Sequence, residues 1–591
     1  MYHRVSEKIH KSNDIRMVMT NLLLITMSVS SLMRIIIPEF YIFSVVALSI
    51  ILITSRSKTI IILIITEIYV LIAIAWALAS NFSTLPRDDP YHYFRFTKYI
   101  YQTKHFYINE TSEKIFLANI APWPLWEEFL VILADVYSVD PFIITQVTQG
   151  MTTAPLTILL SIMFAKLIFC KEEVRGNKLY LWSSLFIPFL SFFVFANTNP
   201  VSRSYALVLY ILAFYLIIKT MVVKYYLYEN IVLLMMILFT LALSHPYYCV
   251  AIPIILTFLG LQIILISKYK VVKLEKILDF RHFIMVTLVS IISSTIWIIY
   301  NTFEIRKFIV MAIDTLMSFR WYYDIFGIRK SSSWLETQYI EVKFFKEHLL
   351  EKLLYWIVWL TDFIPILLAA IEIIILITKI KKQEKIDNIQ VLLFLLSISL
   401  ATLFLLSGAS SHGEIAGYSI PLIYVSVSGL AMNVLKRMQT KISTMIMLTS
   451  ILYIISATLS LGTRTYQAAF IWSSNISFED KGMHSKYLTA VMQFYNKYFN
   501  PIFKYVLTDD YIVNCFTDAL NPITYVFSWN FMLERGDVLF ISVRYLKPLY
   551  WDINPWYGKD ILGMIDKFHQ FLKMSNLIYN DGNGKIYYIK I

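Results

Sequence analysis

Apolar residues fill this chain in long unbroken runs, cut at intervals by short polar stretches. The runs predict membrane-crossing helices near 17–33, 40–55, 59–80, 145–169, 179–196, 202–221, 229–244, 247–267, 283–302, 354–379, 390–407, 417–434 and 442–462. Most approach the roughly 20 residues that cross hydrocarbon as a helix. They are continuous rather than alternating, which favours helices over barrel strands, the two structures that satisfy their backbone in lipid. The expected fold is an all-α polytopic membrane protein of about 13 transmembrane helices, covering residues 1–462.

The pattern breaks in three places. Long polar loops are expected near 81–144 and 303–353, and the long apolar runs cease in a tail over 463–591. The tail contains strand-like stretches ("DVLFISV", "KIYYIKI"), a helix-like "KDILGMIDKFHQFLKM" and the turn signal "NDGNGK". A small α+β domain is expected there.

Composition agrees with the membrane reading. Of 591 residues, 58% are hydrophobic and 16% charged, more apolar surface than a soluble fold of this length can bury. Mean hydropathy is +0.62. Cys170, Cys249 and Cys515 are too scattered for a disulfide framework or a zinc site. The charged start "MYHRVSEKIHKSNDIR" does not resemble a cleavable signal peptide.

The net charge of +12 would suit nucleic acid or an anionic membrane surface, and its placement selects the second. "SRSK", "KEEVRGNK", "KTMVVK", "SKYKVVKLEK", "KIKKQEK" and "KRMQTK" occupy alternate connections, while "NTNPV", "SHP" and "SGASSHGEIAG" carry no Lys or Arg. The positive-inside rule puts the first set, and the N-terminus, in the cytoplasm. The long loops and the 463–591 tail are then external. The sequons at Asn81, Asn109 and Asn475 all fall on that external side. No nucleic-acid partner is expected.

The densest chemistry follows the third span, in "LPRDDPYHYFRFTKYI", where Arg87, Asp88, Asp89, His92 and Arg95 crowd together. Pro90 fixes its own backbone and pushes Asp89 toward an extended conformation. Adjacent carboxylates repel, so one needs a cation, a proton or an arginine. A rigid acid at a membrane face suits a general base or a metal ligand. The plainer reading is a solvated helix start, with Asp as cap and Pro in the first turn.

"DDPYHYFRFTKYI" resembles the first acidic motif of oligosaccharyltransferase catalytic subunits, and more broadly the first external loop of the GT-C class of membrane glycosyltransferases. "IAPWPLWEEFL" is similar to that family's later loop, where Trp and Pro precede the next span. The resemblance implies a GT-C-like fold, with Asp89 the catalytic or metal-binding acid and Asp88 supporting it. It also implies a polyprenyl or dolichyl phosphate-linked sugar as donor, a protein or glycan acceptor, and Mg or Mn as possible cofactor. Departures are specific. Arg87 replaces an acid of the family motif, and "FANTNPVSRSYAL" offers Asn197, Asn199 and Arg203 where the second acidic motif belongs. Amides ligate a hard cation without compensating its charge. The long second loop has Glu336 and Glu341 in place of the family's glutamate. "LYWDINPWYG" is only a broken approximation of the Trp-Trp-Asp-Tyr-Gly acceptor motif.

Other polar groups end apolar spans on the same side: Arg203, His245, His412 and Glu414. Such groups are functional candidates. Arg203 suits a phosphate, which a guanidinium pairs bidentately, and it suits equally an interfacial anchor. His245 before Pro246 also suits a turn, and His412 suits equally a simple pairing with Glu414. Arg87, His92, Arg95 and Glu336 complete the expected substrate-binding set. The expected function is sugar transfer from a lipid phosphate at the external face. A non-catalytic relative that binds lipid-linked glycans is the alternative, and a transporter the third. Against the transporter, helix interiors carry few charges and no inverted repeat is visible. No glycine-rich phosphate loop suggests a nucleotide sugar.

Overall fold

The computed structural model describes residues 52, 57–79, 89–105, 125–174, 179–198, 201–222, 227–268, 280–300, 349–382, 384, 386–408, 414–438, 498, 506–508, 538–542, 576–580 and 585–589. The expected spans at 17–33 and 442–462, that at 40–55 apart from Leu52, and most of the second long loop lie outside the described residues.

The described helices are α1 Lys58–Ala79, α2 Asp89–Thr103, α3 Leu125–Tyr137, α4 Pro141–Val174, α5 Leu179–Ser184, α6 Ser191–Thr198 and α7 Ser202–Val222. They continue with α8 Leu227–Ser244, α9 Pro246–Lys268, α10 Phe280–Tyr300, α11 Leu349–Lys381, α12 Asn388–Gly408 and α13 Glu414–Met438. Among the described residues five stretches are long and apolar enough to cross a membrane: Pro141–Phe169, Ser202–Val222, Leu227–Ser244, Asp362–Lys381 and Ser419–Arg437. The chain is a polytopic helical membrane protein.

Helix boundaries follow local chemistry. Asp140 caps α4 by accepting from the amide of Phe142 at 2.7 Å, with Pro141 at the first helical position. Pro155, Pro253, Pro365 and Pro421 lie inside α4, α9, α11 and α13, as neighbouring helices in a bundle allow.

The continuous helix expected over 179–196 is corrected. It is broken into α5 and α6 by turns at 185–190, centred on Pro188. Proline lacks the amide hydrogen and collides with the preceding turn. Amides of Leu185 and Phe186 tighten onto residues three back, at 3.2 Å each. The Phe186 carbonyl accepts from the Ser428 hydroxyl of α13 at 3.2 Å. Irregular backbone survives at this depth because the whole segment is buried in protein.

Contacts at helix ends sort the bundle into two poles. Lys436 of α13 donates to the Ile168 carbonyl of α4 at 3.2 Å, and Arg437 pairs with Glu372 of α11 at 2.7 Å. Lys58, starting α1, lies 5.3 Å from the ring centre of Tyr180, starting α5. This pole collects the basic connections. At the opposite pole α2 and α3 lie over the bundle. They are joined to each other by Lys104–Asp135 at 2.8 Å. Phe94 of α2 meets Phe142 of α4, and Trp126 of α3 meets Tyr205 of α7. The "DDPYHYFRFTKYI" stretch forms most of α2. The "LWEEFL" stretch opens α3, an additional helix too short to span, before α4 begins.

In the tail, β1 Val506–Thr508, β2 Val538–Ser542, β3 Asn576–Asn580 and β4 Lys585–Ile589 form one sheet in the order β1-β2-β4-β3. β1 and β2 are parallel, and the remaining pairs antiparallel. β2 and β4 fall on the two stretches read as strands. The "KDILGMIDKFHQFLKM" segment lies outside the described residues.

Candidate functional site

The pole carrying α2 and α3 also carries the beginning of α7 and the junction of α8 with α9. Three side chains converge there. Arg203, in the first turn of α7, is exposed, yet its guanidinium hydrogen-bonds the hydroxyl of Tyr248 on α9. His245 forms the single-residue link between α8 and α9, with its amide on the Leu241 carbonyl at 2.7 Å. Its ring lies 5.1 Å from that of Tyr248, which in turn meets Tyr210 of α7 at 4.6 Å. His245 is buried, and burial together with the nearby Arg203 charge holds its pKa down at about 3, against a smaller opposing effect of its own backbone hydrogen bond. The imidazole is therefore neutral at any physiological pH. The cation of the cluster is Arg203, and the tyrosine hydroxyl orients it.

Two expected residues, Arg203 and His245, are thus brought together, and Tyr248 was missed. Its signal was present in "SHPYYCV", one turn after His245. Asp89 is the first residue of α2, so the helix-start reading of the Asp–Pro step holds for the backbone. The Asp140–Pro141 step of α4 uses the same pair as a plain cap. His92 and Arg95 lie on α2 and Glu414 opens α13; their side chains are outside the described set, as are Arg87, Asp88, Glu336, Glu341 and His412 altogether.

At the second-motif position Asn197 is committed to the core, and Asn199 lies outside the described residues. Asn197, at the end of α6, is buried and its amide donates to the Tyr69 hydroxyl of α1 at 3.1 Å and to the Phe193 carbonyl at 2.9 Å. Its oxygen faces the Thr157 hydroxyl of α4 at 3.4 Å. Every polar atom of this side chain is used in joining α1, α4 and α6. Among the described residues no three His, Cys, Asp or Glu side chains lie together as a metal site. The expected metal ligand Asp89 has its side chain outside the described set, and no chemistry is routed through Mg or Mn.

One further acid stands out. Glu127, in the first turn of α3, is fully buried, and neither carboxylate oxygen has a hydrogen-bond partner among the described residues. Burial, reinforced by the Glu128 charge and only partly offset by its own amide, pushes its pKa up to about 8. The ring of Trp126 beside it stacks on Tyr205 at 4.9 Å, two residues along α7 from Arg203.

No protein-family model matches the chain, and no curated protein matches it. Among solved structures it is similar to the Archaeoglobus fulgidus oligosaccharyltransferase in complex with Zn and sulfate, at 11% identity and a TM-score of 0.48, over 90% of this chain and 73% of that one. It is also similar to the archaeal oligosaccharyltransferase AglB from the same organism in complex with an inhibitory peptide and a dolichol-phosphate, at 11% identity and a TM-score of 0.47, over 91% and 75%. A third is ArnT from Cupriavidus metallidurans bound to undecaprenyl phosphate, at 9% identity and a TM-score of 0.41, over 90% and 98%.

Proposed function

We propose that the chain is an integral-membrane glycosyltransferase of GT-C type. It takes sugar or oligosaccharide from a polyprenyl or dolichyl phosphate and transfers it to an acceptor on the external face. The observation that carries this reading is the Arg203–Tyr248–His245 cluster, at the pole where α2 begins with Asp89. A lipid phosphate presents its headgroup at this level of the bilayer. Arg203 is exposed to it while Tyr248 holds the guanidinium in place. The neutral His245 adds a hydrogen-bonding group without adding charge.

In the transfer, Asp89 takes the proton of the acceptor hydroxyl, and the acceptor oxygen bonds the anomeric carbon. The bond from that carbon to the phosphate oxygen breaks, and its electron pair leaves on the phosphate facing Arg203. The basic pole is then cytoplasmic, with the N-terminus, and the 463–591 tail is external. The commitment of Asn197 to the core favours a second reading, a GT-C-like protein that binds lipid-linked glycan without turnover.

Glycan transfer by purified membranes carrying wild type, Asp89→Asn or Arg203→Gln, followed by mass spectrometry of polyprenyl-linked sugar, tests the reading. The expected result is transfer by wild type and its loss in both variants while each still inserts. Full activity in Asp89→Asn overturns the assignment of the base. Donor bound by wild type without any transfer selects the binding protein.

A further inference from the structure

α11 is exposed along one face. Phe363, Ile366, Leu367, Ile371, Ile374 and Ile377 recur at steps of three and four, each at least 40% exposed. The opposite face buries Ala369, Glu372 and Leu376. Continuing the exposed stripe by the same steps reaches Thr378, Lys381 and Lys382, all exposed. An apolar face that a bilayer would wet with acyl chains therefore ends in two cations.

The neighbouring charges are already engaged. Arg437 is held by Glu372 at 2.7 Å, and Lys436 by the Ile168 carbonyl at 3.2 Å and by Asp387 at 3.9 Å. Lys379 lies close enough to Glu372 for its charge to act on that carboxylate. The Lys381 and Lys382 ammonium groups have no hydrogen-bond or ion-pair partner among the described residues. Glu384, exposed beyond the end of α11, is the carboxylate nearest them in sequence.

The geometry points to a site for an acidic phospholipid on α11. One acyl chain lies along Ile371, Ile374 and Ile377, and the phosphate sits between Lys381 and Lys382. From Ile371 to Lys381 a helix rises about 15 Å, which is one leaflet of a roughly 30 Å hydrocarbon core. Lysines at the foot of a span extend along its surface to the headgroup level, where they select anionic lipid. The site is independent of sugar transfer, since it lies at the opposite pole from Arg203.

Native mass spectrometry of the delipidated full chain, titrated with phosphatidylglycerol and with phosphatidylcholine of the same chains, tests this. Wild type is expected to bind the first phosphatidylglycerol on the order of twentyfold more tightly than phosphatidylcholine, about fivefold per lysine. Lys381→Gln/Lys382→Gln should bring the two lipids level, and Lys381→Arg/Lys382→Arg should keep the preference. Raising ionic strength on the wild type should weaken phosphatidylglycerol alone. Equal binding of both lipids by wild type overturns the site, as does a preference that survives the glutamine variant or high salt. A dimer that forms only without lipid, and blocks its binding, assigns the stripe to a second copy instead.

Discussion

The side-chain amide of Asn197 donates to the hydroxyl of Tyr69 at 3.1 Å, joining residues 128 apart in the chain. With Phe193 and Thr157 completing its bonds, this amide is a junction of α1, α4 and α6. Position 197 looks in the sequence like a weakened metal ligand, and its surroundings make it a packing residue. Asn197→Asp puts a carboxylate among groups arranged for an amide. It should lower thermal stability, since an unsatisfied buried polar group costs about 1–3 kcal/mol. It should not create stimulation by Mg or Mn. Thermal unfolding in detergent, together with transfer measured with and without added metal, checks both. Metal-dependent rescue of activity by Asn197→Asp would restore the ligand reading.

Arg203 and Tyr248 act as a pair if the guanidinium binds phosphate. Arg203→Lys keeps the charge but loses the planar fork that contacts phosphate and tyrosine together. It should weaken the donor by about tenfold or more, while Arg203→Gln removes binding. Tyr248→Phe leaves the charge and releases its anchor, so a smaller rise in the KM for donor is expected, with kcat nearly unchanged. Donor titrations in nanodiscs separate the three. An anchor with no role in the site would move stability in all three variants and leave donor binding alone.

How much of this was legible depends on what each residue's neighbours had to reveal. The spans are visible because lipid-facing and core positions are both apolar, so a run alone marks the element. The same property hid the break at Pro188: "FIPFL" is apolar throughout, and only the three-dimensional bundle shows Ser428 accepting the job of the missing backbone bond. Arg203 and His245 stand out in the sequence because ionisable groups at span ends are rare. Tyr248 was missed because tyrosine abounds in this chain, with 40 residues, and its type alone singles out none of them. By residue type alone nothing separates Glu127 from Glu128. The stripe of Glu127, Leu130, Val131 and Ala134 was the available signal that the first of the pair faces inward.

Close helix approach gives a sharper packing prediction. A methyl group on Gly150 of α4 would collide with the Ile74 side chain of α1 and crowd Ala73. Small residues permit such contacts in membranes, where no hydrophobic force draws helices together. Gly150→Ala should destabilise by about 1–3 kcal/mol through overpacking. Ile74→Ala should recover part of that loss when combined with it, although alone it opens a cavity. Unfolding midpoints of the two singles and the double form a cycle, and simple additivity would show that the helices have room to separate.

The buried acid of α3 makes the docking of that helix sensitive to pH. Glu127 has its folded pKa raised from 4.5 to about 8, chiefly by burial. Below 4.5 the group is neutral in both states and imposes no penalty. Between 4.5 and 8 the docked helix keeps a proton that the undocked one has released, so rising pH favours undocking. Above 8 the penalty stops growing, at a few kcal/mol on the scale of 1.36 kcal/mol per pKa unit. Among the described residues the charge acting on Glu127 is Glu128 on the same helix, while the Lys104–Asp135 pair and the Trp126–Tyr205 stack hold the helix to its neighbours. Glu128 also has its pKa raised by burial, so Glu128→Gln is the necessary control. Hydrogen exchange of the α3 amides, corrected for the intrinsic pH dependence, should show protection falling between pH 5 and about 8 in wild type and in Glu128→Gln. Glu127→Gln keeps the shape and cannot ionise, so its protection should stay level. An unchanged slope in that variant would mean that another group controls the docking of α3.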